Sequence, residues 1–193
     1  TTYNTALQQM QAVYNLTGQW PAVTGMDCAT PAGMGEVVRY LTDMWNAGNL
    51  VTLSCHFRNP WTGGSSTDWA NRDTADQWDR RSVLALTTPG STAYTNWIGM
   101  LDNIAANLQI LEDRGVVVMW RPLHELNGTW FWWGGQSPAD FTALWRHMFD
   151  YFTRVKGLDN LLWVYSPNTG MNATANYPGN DVVDMVGLDE YSG

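Results

Sequence analysis

Short apolar runs alternate with amphipathic helical stretches along almost the whole chain, and this alternation constrains the fold more than any other feature. Pro21 to Asp27, Leu50 to His56, Val116 to Leu123, Leu161 to Tyr165 and Asp181 to Asp189 read as strands. Between and before them, apolar residues recur at helical spacing over residues 4–14, 34–48, 92–114 and 138–156. Strands in regular alternation with helices predict βα units and a parallel sheet buried on both faces. A Gly-, Ser- and Asn-rich stretch from Arg58 to Thr74 reads as a long loop. The chain has 193 residues, enough for one domain. A closed eight-stranded barrel takes about 250 residues and at least roughly 200, so a complete barrel of ordinary build is nearly excluded.

Each predicted strand ends on polar or aromatic residues: Asp27; Ser54 and His56; His124 and Glu125; Tyr165 and Asn168; Asp189 and Tyr191. In α/β folds, function collects at the carboxyl ends of parallel strands. Five such endings in one chain point to a single site. The 18 acidic residues outnumber the 10 basic ones, for a net charge of −8, which repels both phosphate backbones and anionic membranes. Neither nucleic acid nor a membrane is an expected partner; a neutral substrate is. Trp, at 12 copies, outnumbers Lys and Arg combined, and several copies sit beside Gly, Asn and Pro in apparent loops. Flat indoles there fit the apolar faces of sugar rings, while the remainder fill a core.

The segment Trp120-Arg121-Pro122-Leu123-His124-Glu125-Leu126-Asn127-Gly128-Thr129-Trp130-Phe131-Trp132-Trp133-Gly134-Gly135 delivers a His-Glu pair from a strand into an aromatic loop. Burying a carboxyl among indoles disfavours its charged form, which suits a general acid working near neutral pH. Glu125 is therefore the foremost catalytic candidate; the structural alternative is an ion pair with Arg121. Trp130, Trp132 or Trp133 is expected to form a sugar platform. His124 and His56 read as neutral hydrogen-bonding groups at strand ends, and His147 as peripheral. A zinc helix needs a second His four positions after the first, and HELNG lacks it, so neither a metal nor a cofactor is expected. No Gly-x-Ser-x-Gly elbow and no phosphate-binding glycine loop is present. Cys28 and Cys55 point away from the site by strand alternation, and whether they are bonded stays open.

With these residues in view, RPLHELNGTWFWWG resembles the acid/base motif of glycoside hydrolase family 26, the β-mannanases. PAVTGMD, LVTLSCHFRNPWTGG, LLWVYSPN and YPGNDVVDMVGLDEY resemble the second, third, fifth and sixth strands of that family in order, from about residue 20 to residue 191. The resemblance implies a (β/α)8 TIM barrel, of which this chain supplies about five βα units, so that residues 1–193 form a partial catalytic domain. It implies retaining, endo-acting hydrolysis of β-1,4-mannosidic bonds in mannan, galactomannan or glucomannan. It makes Glu125 the acid/base, and His56, His124, Trp130 and Tyr191 residues that hold the sugar or the catalytic carboxylates, with Asp189 in support.

A retaining glycosidase needs a second carboxyl roughly 5–5.5 Å from the first. The resemblance puts that nucleophile, a Glu, at the end of the seventh strand, expected beyond Gly193, with the first strand expected before Thr1. Glu190 should face away from the site by strand alternation. The expected partner is thus β-mannan or manno-oligosaccharide, reached by secretion; the oligomeric state is not specified. The alternatives are a glycan-binding fragment without catalysis, or a related β-1,4-xylanase or β-glucanase.

Overall fold

The computed structural model describes residues 2–29, 33–67, 82–170 and 172–191. Helix α1 (Thr2–Thr17) leads into β1 (Val23–Asp27), α2 (Met34–Asn46) and β2 (Leu50–Ser54). A 3-10 turn (Val83–Leu86) precedes α3 (Thr92–Asp113), which is followed by β3 (Val118–Arg121) and α4 (Pro138–Asp150). Helix α4 runs into a wider π turn (Tyr151–Val155) before β4 (Leu161–Tyr165) and β5 (Met185–Val186). The five strands form one sheet in chain order, every pairing parallel. Strands in chain order with helical crossovers on one side build a partial (β/α) barrel.

Local chemistry sets the element ends. Ser91 caps α3 by accepting the Tyr94 N–H, and Ser137 caps α4 by accepting the Asp140 N–H, with Pro138 preorganising the first turn. Gly115, at φ +70°, reverses the chain after α3. Alternation along the strands sends Met26, Val51, Leu53, Val118, Trp120 and Trp163 into a core shared with Val37, Leu41, Trp97, Leu101, Leu108, Leu144, Trp145 and Phe152 from the helices. The expected burial of both sheet faces is corrected here. Among the described residues only the helix-facing side is covered, and Val23, Leu50, Leu162, Met185 and Val186 remain exposed.

Two strands are shorter than the apolar runs suggest. β3 stops at Arg121 because Pro122 has no N–H to donate and Leu123 turns to φ +49°. The last run, predicted from Asp181 to Asp189, pairs only at Met185 and Val186, with an isolated bridge from Asn168 to Asp189. Its first half is held by α4 instead. Arg146 donates to Pro178 O and to both carboxylate oxygens of Asp181, and Trp145 Nε1 donates to Val182 O. Asp184 then accepts the Trp163 N–H at 2.8 Å through its side chain, where a ladder carbonyl would otherwise sit. The 3-10 turn at Val83–Leu86 has no counterpart in the sequence reading, and the end of the predicted 58–74 loop lies outside the described residues. Among the described residues, no helix is long and apolar enough to cross a membrane.

Candidate active site

The register of the sheet brings the strand ends together. Asp27 aligns with Ser54, and Ser54 with Arg121. Beyond Arg121 the chain makes two left-handed turns at non-glycine residues, Leu123 and Glu125, at φ +49° and +53°. Such conformations cost about 1–3 kcal/mol each and persist only where the surroundings over-determine them. Here Glu125 N–H donates to Ser166 O at 2.7 Å, Gly128 N–H to Glu125 O at 2.9 Å, and Gly135 N–H to Leu126 O at 2.8 Å. Trp133 Nε1 donates to His124 O at 2.9 Å, and Asn127 is tied to the backbone of Asn168 in both directions. The strained turn aims one carboxyl.

That carboxyl belongs to Glu125, which is 6% exposed. Trp130 Nε1 donates to its Oε2 at 2.6 Å, and Tyr191 Oη to its Oε1 at 2.5 Å. Each carboxyl oxygen therefore has its own donor. The Glu125 bond is the leading cause that raises the Tyr191 phenol above its ordinary value, with burial adding to it. A carboxyl so held can give a proton to an adjacent oxygen when neutral and take one back when ionised.

Beside it runs a second string of groups. His56 Nδ1 donates to Asp27 Oδ2 at 2.7 Å, and the Nε2 atoms of His56 and His124 face each other at 3.3 Å. Burial alone would push the Asp27 carboxyl up. Hydrogen bonds from His56, Ser54 and the Ala29 N–H outweigh it and hold that carboxyl well below the usual carboxylate range. The Asp27 hydrogen bond raises His56, against the opposing effect of burial. Burial, then the Arg121 charge, push His124 down to about 3, so it is neutral at ordinary pH.

Of the predicted site residues, His56, His124, Glu125, Trp130, Asp189 and Tyr191 fall at this rim, but Trp133 does not. Trp133 is fully buried and Trp132 nearly so, which corrects their assignment as a sugar platform. Trp133 stacks on Phe131 with centroids 4.4 Å apart, and both rings meet His124 edge-on. They prop the loop from beneath. Only Trp130 of the three is partly open. Arg121 does not pair with Glu125; it donates to Asp189 at 2.6 Å and 2.9 Å and to Ser166 Oγ at 3.1 Å. Asp189 thereby fixes the strand end that leads to Tyr191. Tyr165, counted among the strand-end groups, is buried and donates to Ala173 O. Glu190 is exposed. Cys28 and Cys55 form a disulfide. The role of Asp27 as acceptor for His56 was missed in the sequence; the signal for it was a strand-end Asp in register with the strand that carries the His. Among the described residues, no group of three or more His, Cys, Asp or Glu is arranged to hold a metal ion.

A parallel sheet from a (β/α) barrel, with one clamped carboxyl and two histidines at its carboxyl rim, defines the class: a barrel chain whose site is built for proton transfer. The chain belongs to Glycosyl hydrolase family 26, whose sequence model matches residues 1–193. It is 36% identical to mannan endo-1,4-beta-mannosidase A and B of Caldalkalibacillus mannanilyticus, over 94% of this chain and 37% of that protein. It is 35% identical to a mannan endo-1,4-beta-mannosidase of Bacillus subtilis, over 92% of this chain and 52% of that protein. Among solved structures, a beta-mannanase from a symbiotic protist of the termite Reticulitermes speratus, complexed with gluco-manno-oligosaccharide, superposes with a TM-score of 0.81. The two are 30% identical, and the match covers 96% of this chain and 60% of the other. The chain thus spans about a third to a half of the length of these curated relatives.

Proposed function

We propose that residues 1–193 are the part of an endo-β-1,4-mannanase catalytic domain that carries its acid/base. The observation behind this reading is the double clamp on Glu125: a buried carboxyl with one oxygen on Tyr191 and the other on Trp130. In the first step Glu125 protonates the leaving glycosidic oxygen. In the second it removes a proton from the water that releases the sugar. Trp130 and Tyr191 keep the carboxyl aimed, and the partly open Trp130 offers its indole to a sugar ring. The half-exposed His56 ring lies open to a sugar, and the buried His124 backs it through the contact between their Nε2 atoms. The nucleophile belongs, in this reading, to a further strand of the barrel.

The substrate is a β-1,4-mannan, galactomannan or glucomannan. The names of the relatives and the mixed oligosaccharide held by the termite-symbiont enzyme support that choice. A polymeric substrate calls for a secreted protein, and the Cys28–Cys55 disulfide fits an oxidising compartment. The test is an assay of the full-length natural protein on galactomannan beside xylan and a β-1,4-glucan. Fastest release of reducing ends from galactomannan supports the proposal. Hydrolysis confined to xylan or glucan replaces the substrate, and tight binding of mannan with no cleavage of any of the three replaces the enzyme with a binding module.

A further inference from the structure

The disulfide and the Asp27–His56 pair occupy consecutive positions on the same two strands. Cys28 follows Asp27 at the end of β1, and Cys55 precedes His56 at the end of β2. Among the described strands β1 lies at the edge of the sheet, with β2 as its one neighbour. Among the described residues, its last backbone tie to β2 is the Cys28 N–H to Ser54 O bond at 2.9 Å. The disulfide sits next to that bond, with the two Cα atoms 4.9 Å apart. The Asp27 carboxylate turns to the other side. There it accepts from Ser54 Oγ at 2.7 Å, Ala29 N–H at 2.9 Å, His56 N–H at 3.2 Å and His56 Nδ1–H at 2.7 Å.

These bonds have a consequence for protons. An acceptor carboxylate on Nδ1 fixes the proton of neutral His56 there and leaves its Nε2 as a bare lone pair. At the 3.3 Å contact His124 must then supply the proton from its own Nε2. Nδ1 of His124, buried and without a hydrogen-bond partner, is left bare. When His56 takes a second proton, on Nε2, the donor and acceptor at the contact exchange and His124 must carry its proton on Nδ1. The state of a histidine adjoining Glu125 is thus set two residues away, at Asp27. The charged and titratable groups acting on His56 are Asp27, Glu125 and Arg121, with His124 in contact.

We infer that Asp27, tied to β2 by the Cys28–Cys55 disulfide, is a positioning residue that fixes the tautomers of His56 and His124 beside the acid/base. The reading deepens the proposed glycosidase site and rests on it for its purpose, but its test needs no hydrolysis. The imidazole nitrogen spectrum of the full natural protein reads both tautomers directly. Above neutral pH the expected result is Nδ1–H on His56 and Nε2–H on His124. The opposite tautomer on His56 overturns the inference. Asp27→Asn should lower the His56 titration midpoint by roughly one pH unit or more, and an unchanged midpoint overturns it as well.

Reducing the disulfide tests the lock. With helical circular dichroism preserved, reduction should give mixed His56 tautomers and a lower midpoint. A reduced protein with the spectrum of the oxidised one removes the disulfide from the mechanism. Wholesale unfolding on reduction makes it a plain stabiliser and overturns the lock. In the mannan assay, Asp27→Asn should lower kcat/KM and displace its pH profile, as a lost structural contact alone would not. A protein inactive on mannan but with the expected tautomers would sink the mannanase reading and leave this one standing.

Discussion

Tyr191 donates its phenol hydrogen to Glu125 Oε1 across 66 positions of sequence, at 2.5 Å. The residue is otherwise 76% exposed, so the bond joins a solvent-facing ring to a buried carboxyl. Arg121 and Ser166 brace the strand end before it through Asp189. A hydrogen bond to a charged group contributes about 1.5–3 kcal/mol. Tyr191→Phe removes that donor while keeping the ring. If the full-length protein is the proposed mannanase, it should lose about ten- to a hundredfold in kcat/KM on mannan, by the same energy, and its thermal midpoint should fall as well, because the bond to the buried carboxyl is already made in the resting protein.

Glu125→Gln keeps the shape of the side chain and removes its proton chemistry. General acid–base catalysis contributes about 10²- to 10⁴-fold, so kcat on galactomannan should fall within that range. Affinity for manno-oligosaccharide, measured by calorimetry, should stay within a fewfold of the parent protein. A glycoside with a good leaving group, such as a dinitrophenyl sugar, needs no acid in the first step. The variant should therefore form its intermediate on that substrate at close to the parent rate and stall at its hydrolysis. Wild-type kcat on galactomannan would remove Glu125 from the role.

The two facing histidines give stability an optimum. His124 is pushed down to about 3, by burial first and the Arg121 charge second. An unfolded His takes up its proton near pH 6.5, so below about 6.5 the unfolded chain binds more protons. Stability is therefore complete above that value and falls as pH drops from there toward 3. His147, lowered by burial, acts in the same direction. His56 is raised by its bond to Asp27, so its contribution is complete below about 6.5 and is lost as pH rises through its folded value. Urea midpoints should peak near pH 6–7 and correspond to a loss of about 2 kcal/mol by pH 4.5. His124→Gln should flatten the acidic side of that curve.

The alternation of strand and helix was legible because apolar period and turn chemistry act locally, as at Ser91, Ser137 and Gly115. The HELNGTWFWWGG segment was legible as a site because a charged pair inside an aromatic run has few structural uses. What was hidden is long-range or bivalent. Asp27 meets His56 across 29 positions and Arg121 meets Asp189 across 68, distances over which no spacing rule operates. Asp184 looks like one more strand residue, yet its side chain takes the Trp163 N–H while its own N–H donates to Trp163 O. Trp130 and Trp133 share a composition and a loop, but only the fold decides that one reaches Glu125 and the other fills the core beneath His124.

Two glycines in that loop make the same distinction physically. A Cβ on Gly128 would overlap the Trp130 ring, and one on Gly134 would lie 2.5 Å from Gly128 O. The first obstacle is a side chain that can rotate away; the second is backbone, which can yield only by deforming the turn that aims Glu125. Gly134→Ala should therefore destabilise the protein by about 1–3 kcal/mol, as overpacking does, read as a lower urea midpoint at unchanged slope. Gly128→Ala should cost less stability but displace the Trp130 donor from Glu125. Its signature is a fall in kcat/KM on mannan of about tenfold or more, the worth of one charge-assisted hydrogen bond, with a quenching shift in tryptophan fluorescence. Equal loss of stability in both variants would show that the Trp130 ring is as immovable as the backbone.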